Sequence, residues 1–324
     1  MRRGAAAIGG LLLGIPAILA LVIVVDSPHR PRGTADSNAP PDVATTAVVE
    51  SPAAQSVTAR DGALLSYRAY RGDAGRVVVL VHGSTGSSLE MNKLALALQG
   101  AGATVYSISL RGHSGSGTRA GDVSYVGQLE DDLADFAKAL NIAGPGLRRT
   151  LIGFSAGGGF ALKVASGPQR RLFDSYVAVA PYFVVDPARE PRSNSWVAVA
   201  TFRVRAIRLL ASIGLPQFED LMVASYAIDP KADEQRTPDY SYRLLMSLRL
   251  DRDWRAALAR IESPTRIVLG ADDALVKVDQ ASAFSSLNPR LTVLVLPALD
   301  HMDMINNPSA LAEIVAIWRS LNGS

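Results

Sequence analysis

The chain has 324 residues, 48% of them hydrophobic and 19% charged, with a formal net charge of +3. That balance suits a globular protein with a sizeable core and argues against a nucleic-acid binder, which would need clustered lysine and arginine. With no cysteine in the chain, disulfides, cysteine-ligated zinc and lipid attachment through cysteine are excluded.

The N-terminus, "MRRGAAAIGGLLLGIPAILALVIVVDSPHR", carries two arginines and then no charge from Gly4 to Val25. Such a run is long enough to cross a hydrocarbon core of roughly 30 Å as a helix, so residues 1–25 are expected to be a transmembrane anchor. A cleaved secretory signal is the alternative, and Asp26-Ser27-Pro28 is a poor cleavage site for it. The short basic tail favours the cytoplasmic side and places the bulk of the chain outside the cytoplasm. Cleavage would make the product secreted. Residues 26–55, rich in Pro, Ala, Ser, Thr and Asp without an apolar period, read as a flexible linker.

Residues 56–324 read as one domain. "SVTARDGALLSYRAY" predicts two strands around a turn at Asp61-Gly62. "RVVVLVHG" (76–83) is a β-branched run of the kind buried on both faces, and a helix follows from Leu89 to Gln99. "TVYSISLRG" (104–112) predicts a strand. "YVGQLEDDLADFAKAL" (125–140) predicts a helix with Val126, Leu129, Leu133, Phe136 and Leu140 on one face. "TLIGF" (150–154) is a strand entering Ser155, and "AGGGFALKVAS" a helix leaving it. "SYVAVAPYF" (175–183), "TRIVLG" (265–270) and "LTVLVL" (291–296) complete the strands, and a helix from Ala310 to Leu321 closes the chain. Strands alternating with helices imply a mostly parallel sheet flanked by helices, an α/β class. The alternation stops between about 184 and 261. That stretch reads as several helices, a helical cap over the strand ends, where such sheets bind ligands. Its Arg203, Arg205 and Arg208, set among Trp196, Phe202 and Ile207, are expected to be solvated on a core-packed helix. A basic, apolar helix holding an anionic amphiphile or lying on a membrane is the alternative.

Gly153-x-Ser155-x-Gly157 at a strand-to-helix junction has the form of a nucleophile elbow, in which glycines two before and two after a serine remove side chains that would clash in a sharp turn. A packing or phosphate-cradling glycine loop is the competing explanation. A serine hydroxyl needs a base near neutral pH, and the chain holds four histidines. His29 lies in the linker, His82 is expected to shape the turn after its strand, and His113 lies in "RGHSGSG". His301, in "ALDHMDM", follows the last strand and comes after every carboxylate of "GADDALV", which offers Asp272 and Asp273. Asp186 is a remoter candidate acid. A carboxylate at such a strand end fixes the imidazole tautomer and stabilises the imidazolium. Asp251 and Asp253 flank one arginine without further ligands, so no metal site stands out.

Taken in order, "VHGSTGSS", "RGHSGSG", "GFSAGGG", "GADDALV" and "ALDHMDM" resemble the α/β-hydrolase family over roughly residues 57–322. "RGHSGSG" and the short cap look like its lysophospholipase, monoacylglycerol lipase and serine aminopeptidase-like branch. The resemblance implies a catalytic set of Ser155, Asp273 and His301, with Asp273 matching the Gly-x-x-Asp pattern and Asp272 left as a turn residue. It implies oxyanion donors on the backbone of Ala156 and Ser84, with Thr85 as the alternative to Ser84. The implied activity is hydrolysis of carboxylic esters, lipid-derived esters among them, through an acyl-enzyme. An amidase or peptidase is the near neighbour, and a non-catalytic, membrane-anchored binding protein is the other class. Neither a cofactor nor a metal is implied. The oligomeric state stays open.

Overall fold

The computed structural model describes residues 18–31, 50–142, 144–182, 196–229, 236–250, 253–276, 278 and 284–323. The chain first lays down β1 (Gln55–Thr58), β2 (Leu64–Tyr70), β3 (Asp73–Val81), α1 (Asn92–Gly100), β4 (Ala103–Ile108) and α2 (Gln128–Ala139). Next come β5 (Arg148–Phe154), α3 (Ala156–Ser166) and β6 (Ser175–Val179), and after an excursion β10 (Thr265–Gly270), β11 (Leu291–Leu296), α7 (Asp303–Asn306) and α8 (Pro308–Asn322). Among the described residues, eight strands form one sheet in the order β1-β2-β4-β3-β5-β6-β10-β11. The pairs from β4 to β11 are parallel, and only the β1–β2 and β2–β4 pairs are antiparallel.

Period-two geometry explains why the central strands are apolar throughout. Val77, Val79 and Val81 of β3 point into one core, while Val78 and Leu80 point into the other. Leu129, Leu133 and Phe136 of α2 and Phe160, Leu162 and Val164 of α3 fill the first core. Leu94 and Leu98 of α1 and Ile314 and Trp318 of α8 fill the second. Each such side chain contributes about 1.5–3 kcal/mol on full burial. Val126, expected on the buried face of α2, precedes the helix and is exposed. The connection order turns back between β3 and β5, so the loops leaving these neighbouring strands open a crevice at their carboxyl ends.

The excursion between β6 and β10 is mixed rather than helical. It holds β7 (Val197–Val199), α4 (Thr201–Ser212), β8 (Met222–Tyr226), β9 (Asp239–Ser241), α5 (Tyr242–Leu248) and α6 (Trp254–Ala259). β7, β8 and β9 make an antiparallel sheet, which corrects the expectation of an all-helical cap. The cause is visible in "WVAVA": Trp196, Ala198 and Ala200 are buried while Val197 and Val199 are half-buried, a strand alternation rather than a helical stripe. In α4, Ala206, Ile207 and Leu210 are buried, whereas Arg205 and Arg208 are exposed. Arg203 donates to the carbonyl of Met222 at 2.8 Å.

Of the expected anchor, residues 1–17 lie outside the described residues. Residues 18–25 are helical. No helix among the described residues is long and apolar enough to cross a membrane. The end of the expected anchor and the beginning of the expected linker are tied down. Ile23 is buried in the first core. One carboxylate oxygen of Asp26 accepts the N–H groups of Phe202 and Arg203, at 2.8 and 2.9 Å, capping the N-terminus of α4. Arg30 pairs with Asp239 at 2.6 Å.

Candidate active site

Ser155 links β5 to α3 with φ 52° and ψ −118°, a backbone state that a non-glycine residue holds only when its surroundings fix it. Its N–H donates to the Val179 carbonyl at 2.9 Å, and its carbonyl accepts from Gly159 and Tyr182. The flanking glycines are required by space. A Cβ on Gly153 would sit 2.0 Å from the Gly157 carbonyl oxygen, and one on Gly157 would sit 2.4 Å from that of His82. The turn therefore pushes the Ser155 side chain into the crevice.

Two loops on the far side bring its partners. Asp273 follows β10 and His301 follows β11, and pairing of these strands from Thr265–Leu291 to Gly270–Leu296 sets the loops side by side. Nδ1 of His301 donates to Oδ2 of Asp273 at 2.7 Å. That leaves Nε2 with its lone pair toward Oγ of Ser155, 3.0 Å away. Oδ1 of Asp273 accepts the N–H groups of Leu275 and Val276 at 2.8 and 2.9 Å, so the carboxylate cannot swing. Asp272 is exposed, and its N–H donates to the Leu299 carbonyl. Of the two adjacent carboxylates, the fold brings Asp273 to the imidazole. Asp186 lies outside the described residues. Hydroxyl, imidazole and carboxylate in this sequence can move a proton off the hydroxyl and hold the resulting imidazolium.

The loop after β3 faces this set. A Cβ on Gly83 would come within 3.2 Å of Cβ of Ser155. The Gly83 N–H donates to Oε2 of Glu90 at 2.8 Å, and the Thr85 N–H donates to the hydroxyl of Tyr240 at 2.5 Å. The Ser84 N–H lies between these two committed groups. Ala156 is the first residue of α3, and its N–H is one of the donors a helix leaves without an internal partner. Burial raises the Glu90 carboxyl above its usual range against the pull of Arg236 and the Gly83 N–H.

The other histidines serve structure. The Leu110 N–H donates to Nε2 of His82 at 3.1 Å, so Nδ1 carries the proton and donates to the Gly83 carbonyl at 2.8 Å. Burial pulls this imidazole down to about 3. His82 thus ties the turn, as its position suggested. His29 contacts the Ser27 carbonyl in the N-terminal segment. Asp253 accepts from Ala256 as the N-cap of α6, and no group of three potential metal ligands occurs among the described residues. Sequence reasoning missed Glu90, Tyr240 and the link of His113 to Tyr240 at 2.6 Å. The two Tyr240 contacts join residues 127 and 155 positions apart, which no local spacing signals, whereas Glu90 reaches Gly83 only seven positions away.

A family model described as serine aminopeptidase, S33, matches residues 72–306. The monoacylglycerol lipase of Mycolicibacterium smegmatis is 28% identical over 221 residues, covering 64% of this chain and 73% of that protein. The crystal structure of Paleococcus ferrophilus monoacylglycerol lipase superposes with a TM-score of 0.59 at 22% identity, covering 79% of this chain and 98% of that one. A soluble variant of monoglyceride lipase from Saccharomyces cerevisiae, in complex with a substrate analogue, gives 0.65 at 17% identity, covering 86% and 98%. At these identities the two structures establish the fold, an α/β-hydrolase with a mostly parallel sheet. The family match spans most of the chain, including Ser155 and both loops that bring Asp273 and His301 to it: the chain belongs to the serine aminopeptidase, S33, family and is a serine hydrolase.

Proposed function

We propose that the chain hydrolyses carboxylic esters through an acyl-enzyme on Ser155. The hydroxyl attacks the ester carbonyl carbon while its proton passes to Nε2 of His301. Asp273 holds the imidazole and stabilises its charged form. The oxyanion of the tetrahedral intermediate accepts from the N–H groups of Ser84 and Ala156, each such donor being worth on the order of 10²–10³ in rate. His301 then protonates the departing alkoxide, leaving the acyl group on Ser155, and a water repeats the cycle in reverse. The observation that carries this reading is the continuous hydrogen-bond chain from Asp273 through His301 to Ser155. A lipid-derived ester such as a monoacylglycerol is the substrate class favoured by the lipase relative, with the β7–α6 excursion as a cap over the crevice. Amide or peptide cleavage on the same residues is the second reading, supported by the aminopeptidase description of the family.

Incubation with a fluorophosphonate probe should label the wild type and leave Ser155→Ala unlabelled. Labelling that survives the substitution removes Ser155 from the role, and no labelling of folded wild type favours a non-catalytic binding protein. Hydrolysis of esters of graded chain length, set beside aminoacyl amides, separates the two substrate readings. Attachment to a membrane through residues 4–25 is supported by the uncharged run there, and a catalytic part outside the cytoplasm by the short basic tail of Arg2 and Arg3 before it. Protease accessibility in intact cells tests it: protection of the domain would reverse the orientation, and release into the medium would favour signal cleavage.

A further inference from the structure

We propose that Tyr240 is a positioning residue for the oxyanion loop, its hydroxyl, backed by His113, fixing the peptide that follows Ser84 and so the direction of the Ser84 N–H. The proposal rests on the acyl-transfer reading of Ser155. Its basis is the way β9 grips Thr85. This residue sits at φ 65°, in the left-handed region that a β-branched side chain seldom occupies. Both of its backbone polar groups are held from the excursion: the N–H by the Tyr240 hydroxyl at 2.5 Å, the carbonyl by the Thr237 N–H at 3.1 Å. On the other side of Ser84, the Gly83 N–H is held by Glu90. The Gly83–Ser84 peptide, which carries the Ser84 N–H, is therefore clamped between two fixed neighbours.

The direction of each bond in the relay follows from the acceptor at its end. Nδ1 of His113 lies 3.2 Å from the Arg111 carbonyl, which can only accept, so Nδ1 carries the proton and Nε2 accepts. The Tyr240 hydroxyl therefore donates to Nε2 at 2.6 Å, and its oxygen is left to accept the Thr85 N–H. Thr85 and Tyr240 are fully buried and His113 nearly so, so water does not compete for these bonds. Burial pushes the Tyr240 phenol well above its ordinary value and pulls the His113 imidazole down to about 4. Both keep one protonation state near neutral pH. Thr237 also donates from Oγ1 to the Gly112 carbonyl, and the Ser241 N–H donates to that of Gly121, so the strand presenting Tyr240 is itself pinned.

Tyr240→Phe keeps the ring and its edge contacts with His113 and Tyr226 and removes only the hydroxyl. On the full chain we expect kcat to fall about tenfold to a hundredfold with KM within twofold, less than the loss of a whole oxyanion donor. The affinity of a trifluoromethyl ketone, which forms a tetrahedral adduct on the serine, should fall by the same factor. His113→Ala should give a smaller loss of the same kind. The double variant should be no slower than Tyr240→Phe alone, because the two act as one unit. Unchanged kcat and ketone affinity in Tyr240→Phe would overturn the proposal. So would additive losses in the double variant, or a fall in thermal stability with KM and kcat changing together, since each marks a merely structural tyrosine. If the wild type takes no fluorophosphonate, the parent reading fails instead. Labelled wild type with an indifferent Tyr240→Phe sinks this inference alone.

Discussion

One oxygen of Asp273 receives the proton-bearing Nδ1 of His301 while the other receives two backbone N–H groups, so the carboxylate has no freedom to turn. Asp273→Asn should therefore preserve the fold and lose turnover. The amide can offer its NH2 to Nδ1, which reverses the tautomer and points a protonated Nε2 at Ser155. A loss on the order of 10⁴ in kcat is expected. Asp272→Asn, one position away and exposed, should stay within about twofold, and steady-state rates of the two variants with one ester make the comparison.

Gly157→Ala tests the steric argument for the elbow. The added Cβ would meet two carbonyl oxygens of the β3 strand end, those of His82 and Val81, at 2.4 and 2.6 Å. Backbone cannot yield as a flexible side chain does. The variant should lose about 1–3 kcal/mol of stability from overpacking, together with most of its fluorophosphonate labelling, as read by urea denaturation and probe incorporation.

Two buried neutral histidines make stability depend on pH. Burial lowers His82 to about 3 and His113 to about 4, against an ordinary value of 6.5. Between those values and 6.5 the unfolded chain binds protons that the fold refuses, so stability rises with pH there. It is fully present above about 6.5 and is lost as pH falls toward 4. Each histidine contributes a slope of about 1.4 kcal/mol per pH unit well inside the window. His113→Gln should make the curve of unfolding free energy between pH 6 and 5 shallower by that amount. The carboxylates titrate equally in both proteins and cancel in the difference.

Arg111 illustrates a motif residue whose work is structural. Its guanidinium makes paired hydrogen bonds to Asp132 and to Asp61, at 2.7 to 3.0 Å. The first carboxylate is buried and the second belongs to the β1–β2 turn. Arg111→Met strands the buried Asp132 charge, Asp61 being exposed, and should cost about 3–5 kcal/mol. Arg111→Lys, which keeps the charge but not the two-pronged geometry, should recover part of that in the same denaturation experiment.

Asp26 tests whether the N-terminal segment holds the excursion in place. Asp26→Ala leaves the Phe202 and Arg203 N–H groups without their cap and should cost about 1 kcal/mol. The expected reading is a Tm lower by about 2–4 °C, with earlier proteolytic cleavage within α4.

The main sheet is legible in the residues because its signals are local. β10 and β11 coincide with the β-branched runs "TRIVLG" and "LTVLVL", and α3 begins at the residue after Ser155. The site is legible for a related reason. Gly153, Ser155 and Gly157 must crowd one turn, and the remaining partners sit at the ends of strands whose order is fixed by the topology. What escapes a linear reading depends on pairing at a distance. "WVAVA" sits beside a helical run, and only β8 across from it decides that Val197–Val199 is a strand. Tyr240, whose hydroxyl reaches a loop 155 positions earlier, looks in sequence like the start of an amphipathic helix. Asp26 falls in a stretch whose composition suggests no structure at all.

β6 and β10 are hydrogen-bonded neighbours, from Tyr176–Thr265 to Val179–Val268. The polypeptide thus leaves the main sheet and rejoins it at the adjacent position, so a foreign segment of another length could be grafted there without disturbing a single strand register. Such modularity would let selectivity drift independently of the chemistry, were it not that β9 reaches down to grip Thr85. Any graft lacking that grip imports a new lining for the crevice and slackens the turnover machinery in the same event. Shuffling of this segment is expected to trade choice of substrate against speed.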